Sequence, residues 1–506
     1  MMNMIARGVT PLLAALLLTA CATPDFRQPY VETPDAFRES QTPAQADVST
    51  VEGVGGARWK PAQPAEQQPR GQWWLAFNDP ALTVLVEEAT VNNANLSVAA
   101  SRVRQARAIA GIAEADRIPQ VGVGIGAQRA RLSPLESNLA PGADTEAHTS
   151  YNARLSASYE VDLFGRVAAG VAAARGDTAT SEANFRSVLL ALHADVAQTY
   201  FRLRALDAEL ATVAQTVRLR EESVGVTQRR FDLGDIGEFD LSRAKTELAT
   251  ARAEAIGLQR QRATSEHALA VLLGKPAANY VAGVNPLLGT TAMPAIPAGL
   301  PSSLLERRPD IVAAQRAMEA SNARIGVARG AMFPSLLISA DGGGVGGAFS
   351  DVFRWSSRSW VIGALASMPI IDGGRNRNNV LRSEAALEES VGSYRQSVLV
   401  AFAEVEDSLA GLRVLAGQSA QIEAALVSAR RSADLAQKLY DAGRSSYLEL
   451  LDAQRNLANV ERTAVQLRGD RALTTVALIR ALGGGWGDVP ASAPAVAQQG
   501  GALAQR

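Results

Sequence analysis

The stretch Tyr151-Asn152-Ala153-Arg154-Leu155-Ser156-Ala157-Ser158-Tyr159-Glu160-Val161-Asp162-Leu163 alternates without a break. Its odd positions are all apolar and its even positions, Asn152 to Asp162, are all polar. Successive side chains of a strand point to opposite faces, so this pattern makes one greasy face and one wet face. A strand of that length and period can cross a bilayer obliquely, with lipid on one side and an aqueous lumen on the other. Val121, Val123, Ile125 and Ala127, alternating with Gly122, Gly124, Gly126 and Gln128, supply a fainter partner strand. The polar segment from Ser133 to Ser150, which contains Pro and Gly, reads as the loop joining the two at the cell surface.

Beyond Gly165 the period changes. From Arg166 to Phe231 there is no proline and little glycine, which predicts one helix about 100 Å long. A turn at Gly234 to Gly237 reverses it into a second helix. The same landmarks return at one offset of 209 residues, the separation of Arg166 and Arg375. That shift carries Gly234 onto Gly443, Asp240 onto Glu449, Ala244 onto Ala453 and Gly274 onto Gly483, so the chain is a tandem duplication. The first repeat spans 73–275, with strands at 120–131 and 151–163 and helices at 80–118, 166–231 and 239–273, the first of them closed by Pro119. The second spans 301–486, with helices at 302–332, 375–441 and 447–482, strands at 335–342 and 359–369, and a Gly-rich loop from Gly342 to Gly347. Trp355 and Trp360 flank the last strand, where interfacial aromatics sit. A connector at 276–300 joins the repeats, a polar arm at 21–72 precedes them, and a low-complexity tail at 487–506 reads as disordered.

The start of the chain sets the compartment. Arg7 precedes an apolar run from Val9 to Leu18, too short to span a bilayer but suited to a secretory signal at 1–20. The run ends in Leu18-Thr19-Ala20-Cys21, which resembles the bacterial lipoprotein box and implies that the new N-terminal Cys21 carries lipid. The next residue is Ala22, not the aspartate that such a resemblance associates with retention at the inner membrane, so outer-membrane sorting is expected. Cys21 is the single cysteine of 506 residues, so no internal disulfide is possible. Hydrophobic residues make up 47% of the chain, yet no stretch reaches the length of a transmembrane helix; a membrane crossing must therefore use strands. Fifty Lys and Arg nearly cancel 51 Asp and Glu, so no net field draws in nucleic acid. His148, His193 and His267 lie far apart, without metal-ligand spacing or a nucleophile motif. No metal, no catalysis and no cofactor beyond the covalent lipid are expected.

Four strands cannot close a barrel, and an open sheet edge in lipid leaves backbone groups unsatisfied, so several chains must contribute. The paired halves, the two strands in each, the Asp162-Leu163-Phe164-Gly165-Arg166 strand exit and the run Leu450-Leu451-Asp452-Ala453-Gln454 together resemble the TolC-like outer membrane factors. Within them the chain is similar to the lipoprotein, NodT-type subunits of resistance-nodulation-division efflux systems. The resemblance implies a mainly α fold with a transmembrane β-barrel. Long antiparallel helical hairpins form an α-barrel, and four strands per protomer build a trimeric twelve-stranded β-barrel. The arm, connector and C-terminal region form an equatorial belt. The implied role is an outer-membrane exit duct whose partners are two further copies, outer-membrane lipid, a periplasmic adaptor and an inner-membrane pump. A lipidated coiled-coil adaptor would share the signal and the hairpins but not two spanning strands per half, and a type I secretion channel would share the whole plan.

The resemblance also implies where a gate lies. Glu449 and Asp452 sit three apart on one helix face just past the Gly443 turn, and repeated around an axis they would form a carboxylate constriction. Such a ring would favour cations and could be blocked by multivalent ones. Tyr440 and Asp240 match the polar links that hold neighbouring hairpins closed, so Tyr440→Phe with Asp240→Ala is expected to raise conductance. An arginine that joins these links in some relatives is replaced here by Ser445. Leu448, Leu450 and Leu451 are expected in the hairpin core. Partner docking is expected at the turns, Gly234 to Gly237 and Gly443 to Ser446, Arg444 included.

Overall fold

The computed structural model describes residues 23–39, 72–131, 133, 140, 146–287, 293, 294, 296 and 301–484. The signal segment, Cys21, most of the arm, the body of the 133–150 loop, much of the connector and the tail lie outside the described residues. The elements run α1 (Pro80–Asn92), α2 (Ala94–Ala115), β1 (Gln120–Ala130), β2 (His148–Val161), α3 (Arg166–Asp232) and α4 (Glu238–Leu272) in the first repeat. The second repeat contains α5 (Pro301–Arg307), α6 (Pro309–Gly330), β3 (Ser335–Gly346), β4 (Arg358–Ser367), α7 (Arg375–Asp441) and α8 (Tyr447–Ala481). The helices α3 and α7 have 67 residues each and α4 and α8 have 35 each, and every one of these boundaries is related by the same 209 residues.

Two expected helices are broken. Asn93 adopts an extended backbone between α1 and α2; its Oδ1 accepts from Leu96 N–H and its Nδ2 donates to the Leu272 carbonyl. That single amide starts a new helix and ties it to the end of α4. Arg308 interrupts the expected 302–332 helix in the corresponding place, with Pro309 opening α6. Its guanidinium donates to the Ala481 carbonyl, the counterpart of Leu272 at the offset of 209, and is held by Asp310 and Glu404.

The chain divides into two compact units: residues 1–31, 101–182 and 313–396, and residues 32–100, 183–312 and 397–506. The first contains an antiparallel four-stranded meander ordered β1-β2-β3-β4. Its register keeps each face in step across the strands: Val123 faces Leu155, Leu155 faces Gly342 and Gly342 faces Trp360 on one face, while Gly122 faces Ser156, Ser156 faces Asp341 and Asp341 faces Val361 on the other. One face is therefore apolar across its middle rows, Val121-Ala157-Ala340-Ile362 and Val123-Leu155-Gly342-Trp360, with Arg129 and Arg358 standing on it beyond those rows, and a one-residue slip would invert them. The strands β1 and β4 are its two edges.

Strand boundaries in this unit differ from expectation, β4 among them, which runs from Arg358 to Ser367 in place of 359–369. The run from Gly342 to Gly346 is strand, not loop; a Cβ at Gly343 would stand 2.1 Å from the Ala153 carbonyl oxygen and one at Gly344 1.9 Å from that of Val352. The glycines admit neighbouring backbone and do not turn the chain. The strand β2 starts at His148 and stops at Val161, because the Asp162 carboxylate leaves the ladder to accept from Val167 and Ala168 N–H at the start of α3. At the same exit Gly165 has φ +72°, Phe164 stacks on Phe333 at 5.0 Å, and Arg166 grips Glu160 with two hydrogen bonds of 3.0 and 2.5 Å. In this unit the described arm also lies against α6, where Asn322 Nδ2 donates to the Pro24 carbonyl.

The second unit has its core where Trp73, Trp74 and Phe77 meet α1, α3, α4 and α8 through Leu82, Phe201, Leu269 and Val476. A buried polar web surrounds it. Asp79 caps α1 and receives Tyr200 and Arg204, while Asp207 receives Arg262 and the Asn285 N–H of the connector. Phe37 of the arm is buried with Leu304, Val405 and Leu478. No described helix is long and apolar enough to cross a membrane.

Candidate functional site at the hairpin turns

Both hairpins turn by one mechanism. In the first, Gly234 has φ +79°, its N–H donates to Phe231 and the next N–H, that of Asp235, donates to Arg230. In the second, Gly443 has φ +68°, its N–H donates to Tyr440 and that of Arg444 to Leu439. This left-handed closure satisfies the last carbonyls of α3 and α7, and an L side chain at either glycine would be strained. The restarts differ. Gly237 opens α4 without a side-chain cap, whereas Ser446 opens α8 with its hydroxyl accepting from Glu449 N–H.

The carboxylate of Glu449 accepts from the Ser445 hydroxyl at 2.5 Å. Glu449 and Asp452 are both exposed in the protomer, as are Gly234, Gly237, Gly443 and Arg444. Leu450 and Leu451 are buried, as expected of hairpin core, but Leu448 is half exposed and points away from it.

Tyr440 and Asp240 are not joined. The Tyr440 hydroxyl accepts from Arg230 at 2.9 Å, and the same guanidinium lies 5.5 Å from the Tyr440 ring centroid. Asp240 is half-buried in the first turn of α4, where its backbone N–H donates to Gly237. Arg230 lies in the last turn of α3 and Tyr440 in the last turn of α7, so this contact links one hairpin to the other within the protomer.

Further links follow along the same pair of hairpins. Tyr447 is buried with Ala244 and Leu451, and its hydroxyl shares a 3.0 Å hydrogen bond with Ser223. Buried Arg220 donates to Gln454 at 2.7 Å; desolvation holds its pKa below the usual arginine range, opposed by the nearby Glu247. Arg455 of α8 pairs with Glu247 of α4, and one heptad further Arg462 pairs with Glu254. The hydrogen bonds from Arg455 hold the Glu247 carboxyl below its ordinary value. None of Arg220, Ser223, Arg230, Glu247, Glu254, Arg455 or Arg462 stood out in the sequence. The signal was a pair of acids seven apart in one repeat facing a pair of arginines seven apart near the matching positions of the other.

His193 lies away from the turns, buried edge-on to Trp74 with Nε2 2.9 Å from the Thr90 hydroxyl. Desolvation lowers its pKa to about 4, which suits a packed neutral imidazole. Among the described residues no group of three or more His, Cys, Asp or Glu is placed to hold a metal ion.

Comparison with known proteins agrees with this architecture. The family model described as outer membrane efflux protein matches residues 85–275 and again 300–484, one match per repeat. The solvent efflux pump outer membrane protein SrpC of Pseudomonas putida is 34% identical over 479 residues, covering 94% of this chain and 98% of the relative. The cation efflux system protein CusC of Escherichia coli is 32% identical over 482 residues, 94% of this chain and 98% of the relative. Among solved structures, the outer-membrane channel OprN superposes with a TM-score of 0.80 at 28% identity, covering 92% of this chain and 99% of that one.

Proposed function

The chain belongs to the outer membrane efflux protein family, and from that membership we propose how this outer-membrane efflux channel is assembled, anchored and gated. Three copies close one twelve-stranded barrel and one helical tunnel, with lipid on Cys21. The single observation that carries this reading is the sheet: apolar rows of one face run across all four strands while β1 and β4 are both open edges. Unpaired backbone at membrane depth is costly, and β4 of one protomer meeting β1 of the next removes both edges. Anchoring at Cys21 is supported by Asn322, in the half of α6 that leads toward β3, holding Pro24, three residues from the cysteine.

The hairpin turns form the gate and the docking tips for a periplasmic adaptor and an inner-membrane pump, and the protein catalyses no reaction. Glu449 and Asp452 line the constriction and favour cations there, and Asp240 and Tyr440 belong to the polar surface that keeps hairpins together, Tyr440 through Arg230. The test is native mass spectrometry joined to planar bilayers. Three chains per particle and discrete cation-preferring currents, reduced by a trivalent cation unless Glu449→Gln and Asp452→Asn are present, are expected. A monomer, or a conducting trimer blocked equally in both proteins, contradicts the assembly and the gate respectively.

A further inference from the structure

The wet face of the sheet contains an arrangement that the gate does not use. Among the described strand residues of this face, the acidic and arginine side chains are Arg154, Glu160 and Asp341. Glu160 is taken up by Arg166. Arg154 and Asp341 have no hydrogen bond or ion pair to any described residue, Arg154 being exposed and Asp341 half-buried. Arg154 is flanked on both sides by glycine, Gly124 on β1 and Gly343 on β3, so nothing beside it fills the space its side chain sweeps.

The register fixes their heights. Asp341 faces Ser156, two residues further along β2 than Arg154, a separation of about 7 Å along the strand. With β2 running from the surface loop toward α3, Arg154 lies on the outer side and Asp341 on the inner side. We propose that the barrel lumen contains a charge station, a ring of three Arg154 guanidiniums that binds passing anions stacked outside a ring of three Asp341 carboxylates that binds cations. This rests on the trimeric barrel proposed above. Charges of one ring spaced around a low-dielectric wall focus the potential of the lumen, and salt screens them only over about 8 Å at physiological strength. The station is thus an exit filter separate from the hairpin gate, matched to solutes that present one charge of each sign.

The test is the permeability ratio of potassium over chloride, taken from reversal potentials of the full-length protein in planar bilayers under a KCl gradient. Arg154→Gln is expected to raise the ratio about twofold or more, Asp341→Asn to lower it comparably, the double variant to return near the parent, and Arg154→Lys to leave it unchanged. Heat-resistant trimers on gels establish that each variant assembles. If assembled, conducting variants all keep the parental ratio, the station is overturned and the channel stands. If the parent protein reconstitutes no conducting trimer, the barrel and the station fall together.

Discussion

At the scale of single residues, the hairpin turns proposed as the gate are held by contacts whose strength is set by charge and burial. The Arg230–Tyr440 hydrogen bond has an ionised donor, a class worth about 1.5–3 kcal/mol when intact. Three copies around an axis would hold a gate closed and still yield to a docked partner. Tyr440→Phe is expected to raise closed-state conductance in planar bilayers, and Arg230→Ala to raise it at least as much; conductance equal to the parent in both would remove this latch. His193 acts on stability instead. Its imidazole is buried neutral, with a pKa of about 4 against 6.5 in the unfolded chain, so the folded state binds fewer protons. Stability is full above about pH 6.5 and is lost as the pH falls toward 4, by about 3 kcal/mol at most. His193→Asn keeps a polar atom near Thr90 but does not titrate, so its melting temperature is expected to fall less between pH 7 and pH 4. An equal fall in both proteins would show that the acid sensitivity lies elsewhere.

At the scale of elements, the four long helices were legible because the landmarks that bound them are local. Gly234 and Gly443 sit where only a left-handed backbone closes the helix, and the 209-residue offset exposed both repeats before any contact was known. The breaks at Asn93 and Arg308 were missed, although Pro309 marks a helix start, because each depends on a carbonyl supplied by another helix, Leu272 or Ala481. The glycine run at 342–346 was misplaced for a related reason: its small size answers the backbone of β2 and the 349–353 turn. Glu449 and Asp452, the acids proposed for the gate, could be placed by sequence on one helix face, but Arg230 could not be matched to Tyr440, since its approach depends on how one hairpin lies against the other. The Arg455–Glu247 and Arg462–Glu254 ladder belongs to this scale as well. Partly exposed pairs contribute about 0.2–1 kcal/mol each, so the ladder matters through its repetition around the ring. Arg455→Glu sets like charges against each other and is expected to raise conductance several-fold, with the swap Arg455→Glu, Glu247→Arg restoring the parental value. A swap that stays open would assign the effect to Arg455 alone.

For the whole molecule, one chain is an incomplete object. Its sheet has two bare edges, and α2 leaves Val98, Ile109 and Ile112 half exposed or more, apolar surface that in this family of channels adjoining copies are available to cover. Closure of the strands into a shared barrel is the step on which the gate, the anchor and the lumenal charge station all depend. It is tested most directly by placing single cysteines at each position from 151 to 161 in a protein whose native cysteine is confined to Cys21. Reaction with a membrane-impermeant thiol reagent in outer-membrane vesicles should alternate, with even positions modified and odd positions protected. Modification without alternation, or of both faces alike, would contradict a strand lying between lipid and a water-filled lumen.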